Sequence, residues 1–292
     1  MMTGATASII TDRNRGLLER ATTYSYRELE GGTELAAHVF YPMGGAGSGV
    51  IERDPFTSAR RPAILFFFSS SWDVGEVSQF FPHCACLAER GMVAIACEYR
   101  TESSYGVGPM EALEDARAAF RWVRREADEL GINPEQVAGA GGSGGAFLVM
   151  CLALAEREES DGGMMIEGRY GPDAMVLFSP VLDISRRGHG SERFNDAATV
   201  KALNPLGRAC RDLPPTLIFH AVADRMVPIE GVRKFAKRMR RKKNLCELIE
   251  FEGVGHSFFN SNVDYERYVA TLDATDAFLV KRGYLHEREE ED

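Results

Sequence analysis

Short runs of apolar residues recur along the chain and alternate with longer segments in which apolar residues are spaced three and four apart. The runs predict β-strands, and the five clearest cover residues 63–68, 93–97, 175–178, 216–219 and 247–251. Most of these runs lack an in/out alternation, so we expect helices to cover both faces of the sheet. The alternation of strands and helices is typical of a mostly parallel, twisted sheet of the α/β class.

Two further segments precede these strands. Residues 22–29 and 33–41 flank Gly31 and Gly32 and predict an antiparallel hairpin at the edge of the sheet. The sheet is therefore expected to be mixed.

Three amphipathic segments predict long helices. The first begins at Pro109 and ends before Gly131, with proline at the start and glycine beyond the end. The others cover residues 230–243 and 265–280. Because residues 233–243 include eight basic side chains, we interpret them as the solvated face of a helix, with a basic docking patch as the alternative.

Residues 183–212 link two predicted core strands and show no clear period. Connections longer than about 15 residues often form lids or binding loops, so this segment is a candidate cap over a functional site. Residues 1–20 are a second candidate cap, and the charged residues 286–292 are expected to fray in solvent. We expect a single domain over residues 1–292.

Charge and composition narrow the classes of function. The chain of 292 residues has 34 basic and 43 acidic side chains, a net charge of −9, which disfavours binding to nucleic acid or anionic membranes. No apolar stretch approaches the roughly 18 residues of a membrane span, and the N-terminus lacks a signal-peptide core, so we expect a cytoplasmic protein. The six cysteines include a C-x-C pair, Cys84 and Cys86, but no matching second pair, so no metal site is expected.

The segment Gly141-Gly142-Ser143-Gly144-Gly145 matches G-x-S-x-G. It follows a short predicted strand, residues 136–140, and opens an apolar helix, residues 146–154. A nucleophile elbow requires this succession of strand, tight turn and helix. Ser143 is therefore the candidate nucleophile, and a glycine-rich turn capped by a serine is the structural alternative.

A serine nucleophile needs a base, and the base needs an acid that holds its tautomer. Asp224 lies just beyond the strand at residues 216–219, and His256 lies in the loop after the last strand, so the chain order is Ser, Asp, His. Asp183, which also ends a strand, is the alternative acid, and a turn-capping role for Asp224 stays open.

Several blocks together resemble one known family. Residues 63–75, 98–100, 115–124, 141–145, 215–228 and 253–260 look like the α/β-hydrolase superfamily, and most closely its acetyl-esterase-like branch, which includes acetyl xylan and feruloyl esterases. The resemblance covers residues 20–285. It implies an α/β-hydrolase fold with a small cap and a serine carboxylesterase with Ser143, Asp224 and His256 as catalytic triad. It implies no cofactor.

The chain departs from this family in one loop. Relatives carry His-Gly-Gly-Gly and an aromatic residue where this chain has Phe68-Ser69-Ser70-Ser71-Trp72. Transferred by position, the oxyanion donors are the backbone N–H groups of Ser70, Ser71 and Gly144, and Trp72 would line the acyl pocket. Either the serines hold strained backbone where relatives have glycine, or a serine hydroxyl has become a donor.

These features predict an enzyme that hydrolyses small, short-acyl esters through an acyl-enzyme, with no nucleic-acid or membrane partner. A prolyl-oligopeptidase-like peptidase shares the fold and the order of the triad, although the chain has no room for the large extra domain of that class. The third hypothesis is a catalytically impaired protein that only binds ligands, because the oxyanion loop has serines where relatives have glycines. The oligomeric state and the alcohol part of the substrate are left open.

Overall fold

A mixed β-sheet forms the centre of the molecule. The computed structural model describes residues 14–42, 60–161, 169–186, 188–194 and 196–288. Within these ranges the strands are β1 (Ala21–Glu28), β2 (Glu34–Phe40), β3 (Arg61–Ser70), β4 (Val93–Cys97), β5 (Ile132–Gly142), β6 (Met175–Phe178), β7 (Thr216–Ala221) and β8 (Cys246–Phe251). They lie in the order β1-β2-β4-β3-β5-β6-β7-β8.

The pairing of the strands confirms the mixed, mostly parallel sheet. Strand β2 pairs antiparallel with β1 and with β4, and all the other neighbours pair in parallel. Every residue of β4, β6 and β7 is buried, as expected for strands that are covered on both faces. The carboxyl ends of β3 and β5–β8 meet at one edge, where ligands gather in open α/β sheets.

Among the α-helices of the described residues, five have a length of nine residues or more. In chain order they are α1 (Arg15–Leu18), α2 (Phe81–Glu89), α3 (Glu102–Tyr105), α4 (Pro109–Arg125), α5 (Ser143–Asp161), α6 (Ala197–Leu203), α7 (Pro205–Arg208), α8 (Ile229–Arg241) and α9 (Tyr265–Lys281). Two 3₁₀ helices cover Val77–Phe80 and Ser191–Arg193. None of the helices in these ranges combines the length and the apolarity needed to cross a bilayer.

The long helices follow the predicted patterns with small differences. Helix α4 begins at Pro109 but ends at Arg125, and the chain reaches Gly131 through turns that still bury Ala127 and Leu130. The apolar spacing therefore continues beyond the end of the regular helix. Helix α8 buries one apolar stripe and exposes its basic residues, of which Arg233 pairs with Glu250 at 2.9 Å.

The candidate cap at residues 183–212 leaves the sheet after β6 and returns to it before β7. It contains the 3₁₀ helix Ser191–Arg193 and the short helices α6 and α7. Of the second candidate cap, residues 1–13 lie outside the described residues, as do residues 289–292 of the charged tail.

Candidate active site

Ser143 stands at the junction between β5 and α5 with a φ of 49°, a left-handed conformation that is rare for a residue with a side chain. The turn needs the neighbouring glycines because the backbone approaches them closely. A Cβ on Gly145 would lie 2.3 Å from the carbonyl oxygen of Phe67, and a Cβ on Gly141 would lie 2.7 Å from the carbonyl carbon of Gly145. The local geometry is that of the sharp strand-to-helix turn predicted from G-x-S-x-G.

Asp224 follows β7 and His256 follows β8, and the two side chains form a hydrogen bond. His256 Nδ1 lies 2.7 Å from Asp224 Oδ2. Asp224 Oδ1 accepts hydrogen bonds from the backbone N–H groups of Met226 and Val227 at 2.9 and 3.0 Å. Burial acts to raise the pKa of Asp224, but the hydrogen bonds from His256 and Val227 outweigh it and hold the pKa below its ordinary value. The carboxylate is therefore ionised at neutral pH and favours the His256 tautomer with the proton on Nδ1.

The loop after β6 touches both His256 and Ser143. The hydroxyl of Ser179 donates to the carbonyl oxygen of His256 at 2.8 Å, and the N–H of Val181 donates to the carbonyl oxygen of Ser143 at 3.3 Å. His256 Nε2 is buried and has no hydrogen-bond partner among the described residues. Hydrogen bonds between a nucleophile and its base are often long in free enzymes and tighten when the substrate binds.

The alternative acid has other partners. Asp183 Oδ1 accepts hydrogen bonds from the N–H of Ser185 at 2.9 Å and from the side-chain amide of Asn204 at 3.1 Å. His220, which lies in β7, is 3.5 Å from Asp224 Oδ2 and donates from Nε2 to the carbonyl oxygen of Val227 at 2.9 Å. Burial lowers the pKa of His220, so it supports the Asp224 loop as a neutral side chain.

The oxyanion loop, residues 69–73, begins in the last two residues of β3 and continues beyond the strand. None of its three serines has a positive φ, whereas Trp72 has a φ of 62°. The strained-serine alternative is therefore wrong, and the left-handed residue is the tryptophan that follows the serines. Trp72 is completely buried, with edge-on contacts to Phe147 and Phe194 at ring-centre distances of 5.1 and 5.4 Å, and this packing holds its backbone.

A chain of hydrogen bonds fixes the middle of this loop. The N–H of Trp72 donates to Ser70 Oγ at 2.9 Å, and the hydroxyl of Tyr99 donates to the carbonyl oxygen of Phe68 at 2.9 Å. Burial raises the pKa of Tyr99, so this hydroxyl keeps its only proton. Ser70 must then donate to Tyr99 across the 2.8 Å between their oxygens, and its hydroxyl is not available as an oxyanion donor.

Gln79 joins the oxyanion loop to the loop that carries His256. Its side-chain oxygen accepts from the N–H of Ser69 at 2.6 Å, and its nitrogen donates to Ser69 Oγ at 3.1 Å and to Asn260 Oδ1 at 3.0 Å. Asn260 in turn donates to the carbonyl oxygen of Ser257 at 3.0 Å. A cavity of about 410 Å³ opens beside this bridge, and its lining includes all four residues.

Sequence reasoning did not single out Tyr99 or Gln79 as site residues. Tyr99 lies in one of the blocks that carry the family resemblance, so a weak signal existed, whereas Gln79 lies in a short 3₁₀ helix with no motif. Among the residues that the structure describes, no cluster of three or more His, Cys, Asp or Glu side chains is arranged to hold a metal ion.

The sheet order, the serine at the strand-to-helix turn and the Asp–His pair after the last two strands define an α/β-hydrolase fold. The chain belongs to the BD-FAE family, whose model matches residues 51–239. Residues 201–280 also match the model of the dienelactone hydrolase family.

Individual proteins agree with this assignment. Esterase LipC of Mycobacterium tuberculosis is 28% identical over 221 residues, which are 68% of this chain and 53% of LipC. Esterase 2 of Thermogutta terrifontis with propionate bound is 35% identical with a TM-score of 0.81, and the match covers 93% of this chain and 98% of that one. The butyrate-bound form of the same esterase is 34% identical with a TM-score of 0.80, and the match again covers 93% of this chain and 98% of that one. The chain spans about half the length of the first curated relatives that it matches.

Proposed function

We propose that this protein is a serine carboxylesterase that hydrolyses small esters of short-chain acids. The observation that carries the proposal is the 2.7 Å hydrogen bond between His256 and Asp224 at the same sheet edge as Ser143 in its left-handed turn. This constellation suits nucleophilic attack on an ester carbonyl. The names of the relatives, which are esterases, support the same reaction.

In the proposed mechanism, Ser143 Oγ attacks the ester carbonyl carbon while His256 Nε2 takes the serine proton. Asp224 holds the imidazole in the required tautomer and stabilises the imidazolium that forms. His256 then gives the proton to the leaving alcohol, which leaves an acyl-enzyme. Water attacks this acyl-enzyme while His256 Nε2 takes its proton, and His256 returns that proton to Ser143 Oγ as the bond to the acyl group breaks and the carboxylic acid departs.

The backbone N–H groups of Ser70, Ser71 and Gly144 are the proposed oxyanion donors. The N–H groups on either side of this serine pair have partners within the protein, because Ser69 donates to Gln79 and Trp72 donates to Ser70. The loop is thus held from both sides without strain at its serines. Removal of one oxyanion donor typically costs about 3 kcal/mol of transition-state stabilisation, so this support matters for turnover.

A short acyl group is proposed because the bulky indole of Trp72 packs against Phe147 and Phe194 and approaches Gly144 of the elbow so closely that a Cβ there would lie 3.2 Å from it. The propionate and butyrate bound to the Thermogutta esterase agree with this size. We also propose one domain over residues 1–292, and a cytoplasmic location because six cysteines are few for a chain of this length, as is usual in reducing compartments.

The test is hydrolysis of p-nitrophenyl acetate, butyrate and octanoate by the parent protein, Ser143→Ala and Ser25→Ala. Ser25 is exposed on β1 and serves as the matched control. We expect the parent and Ser25→Ala to prefer acetate or butyrate, and Ser143→Ala to be inactive. A fluorophosphonate probe should label the parent only at Ser143. Equal rates for the parent and Ser143→Ala would refute the proposal, and faster cleavage of aminoacyl-nitroanilides than of esters would favour a peptidase.

A further inference from the structure

One part of the candidate cap, the segment at residues 188–194, lies directly on the oxyanion loop. Gly190 packs against the indole of Trp72 so closely that a Cβ there would lie 2.7 Å from Cζ3. Arg193 forms ion pairs with Asp73, at 3.3 Å, and with Glu102. The segment therefore contacts consecutive residues of the loop and is not merely suspended above it.

A further contact of this segment joins His189 to Ser71, one of the proposed oxyanion donors. His189 Nε2 lies 2.7 Å from Ser71 Oγ, within hydrogen-bond distance. The two adjacent serines of the loop are thus held from different parts of the molecule. Tyr99 in the core holds Ser70, and the cap holds Ser71.

The electrostatic surroundings favour a neutral imidazole at this place. Burial lowers the pKa of His189, and the nearby His256 lowers it further, whereas the carboxylates of Glu192, Asp224 and Asp73 oppose the shift. A neutral His189 can bond to the Ser71 hydroxyl without placing a positive charge beside His256. Such a charge would oppose the imidazolium that forms on His256 during attack.

We propose that His189 is a positioning residue, which fixes Ser71 through the hydrogen bond to its hydroxyl so that the Ser71 N–H faces the developing oxyanion. This inference rests on the proposed esterase function. It gives the cap a part in turnover as well as in covering the substrate. Because oxyanion contacts strengthen mainly in the transition state, a loosened Ser71 lowers kcat more than it changes KM.

The kinetic test compares His189→Ala, His189→Gln, Ser71→Ala and the double variant His189→Ala with Ser71→Ala. We expect His189→Ala to lower kcat about tenfold while KM changes by less than about twofold. His189→Gln should recover part of the rate, because its amide can still bond to the Ser71 hydroxyl. The double variant should be no slower than the slower single variant, since both remove the same bond. Lys201 is exposed in α6 of the candidate cap, so Lys201→Ala should leave both kcat and KM unchanged.

A second readout does not depend on turnover. Hydrogen exchange of peptides that cover residues 69–73 should be faster in His189→Ala than in the parent and unchanged in Lys201→Ala. If the parent hydrolyses no ester, the proposed function fails while the exchange experiment still decides whether His189 holds the loop. Unchanged exchange, an unchanged kcat in His189→Ala, or additive losses in the double variant would each overturn the inference.

Discussion

The hydroxyl groups of Ser70 and Tyr99 lie 2.8 Å apart, and through this contact the oxyanion loop is bonded to the chain that follows β4. The contact explains how serine replaces glycine in this loop. The serine side chain takes part in a hydrogen-bond chain that runs from the N–H of Trp72 to the carbonyl oxygen of Phe68, so it supports the backbone that a glycine would leave free.

The first prediction therefore concerns Tyr99→Phe. This change removes the acceptor for Ser70 and the donor for Phe68, which leaves buried polar groups without partners and costs about 1–3 kcal/mol of stability. We expect kcat for p-nitrophenyl acetate to fall about tenfold, because the oxyanion loop loses its support. Tyr24→Phe is the control, since it removes a hydroxyl bonded to Tyr41 in the hairpin, away from the site. Equal activity in the two variants would contradict the supporting role.

Replacing both serines should also weaken the loop. Ser70→Gly with Ser71→Gly removes the hydroxyls that hold the loop and relieves no strain, since neither serine has a positive φ. We expect kcat to fall about tenfold or more and the loop to exchange its amide hydrogens faster. A gain in turnover would mean that the serines oppose the geometry of the oxyanion hole.

A third prediction tests the acid of the site. In Asp224→Asn the side-chain oxygen can still accept from the N–H groups of Met226 and Val227, so we expect the fold to persist. The amide cannot hold His256 in the productive tautomer, and kcat should fall by about 10⁴. Asp183→Asn is the matched control, because Asp183 only accepts hydrogen bonds from Ser185 and Asn204, and the amide oxygen of asparagine can accept both. If Asp183→Asn were instead the inactive variant, the acid would be misassigned.

A fourth prediction uses the close packing at Gly144. A Cβ there would lie 2.3 Å from the carbonyl oxygen of Ser70 and 3.3 Å from the indole nitrogen of Trp72. Gly144→Ala must therefore push the oxyanion loop away from the elbow, and we expect a loss of activity of at least about a hundredfold, comparable to the loss of one oxyanion donor. Gly207→Ala, in α7 with open space around it, should leave kcat unchanged. Measuring kcat for both variants separates the steric effect from a general effect of adding a methyl group.

A fifth prediction concerns acid stability. Both ring nitrogens of His83 are buried without a hydrogen-bond partner among the described residues, and the ring lies between aromatic side chains including Phe80, Phe178 and Tyr268. Burial lowers the pKa of His83 to about 3, against about 6.5 in the unfolded chain. Between these values the unfolded state binds more protons than the folded state, so stability falls as the pH falls.

At about pH 4.5 this one group lowers the free energy of unfolding by about 2.5 kcal/mol relative to neutral pH. We expect His83→Phe to remove this part of the pH dependence, as measured by urea unfolding at both pH values. His286→Gln, a change at an exposed histidine, should keep the dependence of the parent. A constant difference between His83→Phe and the parent at the two pH values would contradict the shifted pKa.

The sequence predicted the fold well where continuous apolar runs mark buried strands. Strands β4 and β6 coincide with the predicted runs, whereas β3 and β5 extend further, into Ser69 and Ser70 and into Gly141 and Gly142. Their ends pair through backbone hydrogen bonds, which leave no hydrophobic signal. The short helices in residues 183–212 were missed for a related reason, since three to seven residues are too few to show a helical period.

The site was less accessible to sequence reasoning than the fold. The proposed triad follows from a motif and from the chain order of three residues, but the path of the oxyanion loop depends on contacts between distant parts of the chain. Ser70 is held by a tyrosine 29 residues away, and Ser71 by a histidine 118 residues away. Only the folded sheet brings these partners together.

The place of β8 at one edge of the sheet sets the stage of synthesis at which the proposed base joins the site. Strand β3 and its neighbours β4 and β5 all precede β8 in the chain, so they can pair before β8 is synthesised. His256 follows the outermost strand, so a nascent chain that already displays Ser143 still lacks its base. The proposed site is thus incomplete until the segment that carries β8 and His256 has been made and has paired with β7. Recovery of ester hydrolysis after dilution from denaturant will therefore report the pairing of β7 with β8, and not the burial of the central strands alone.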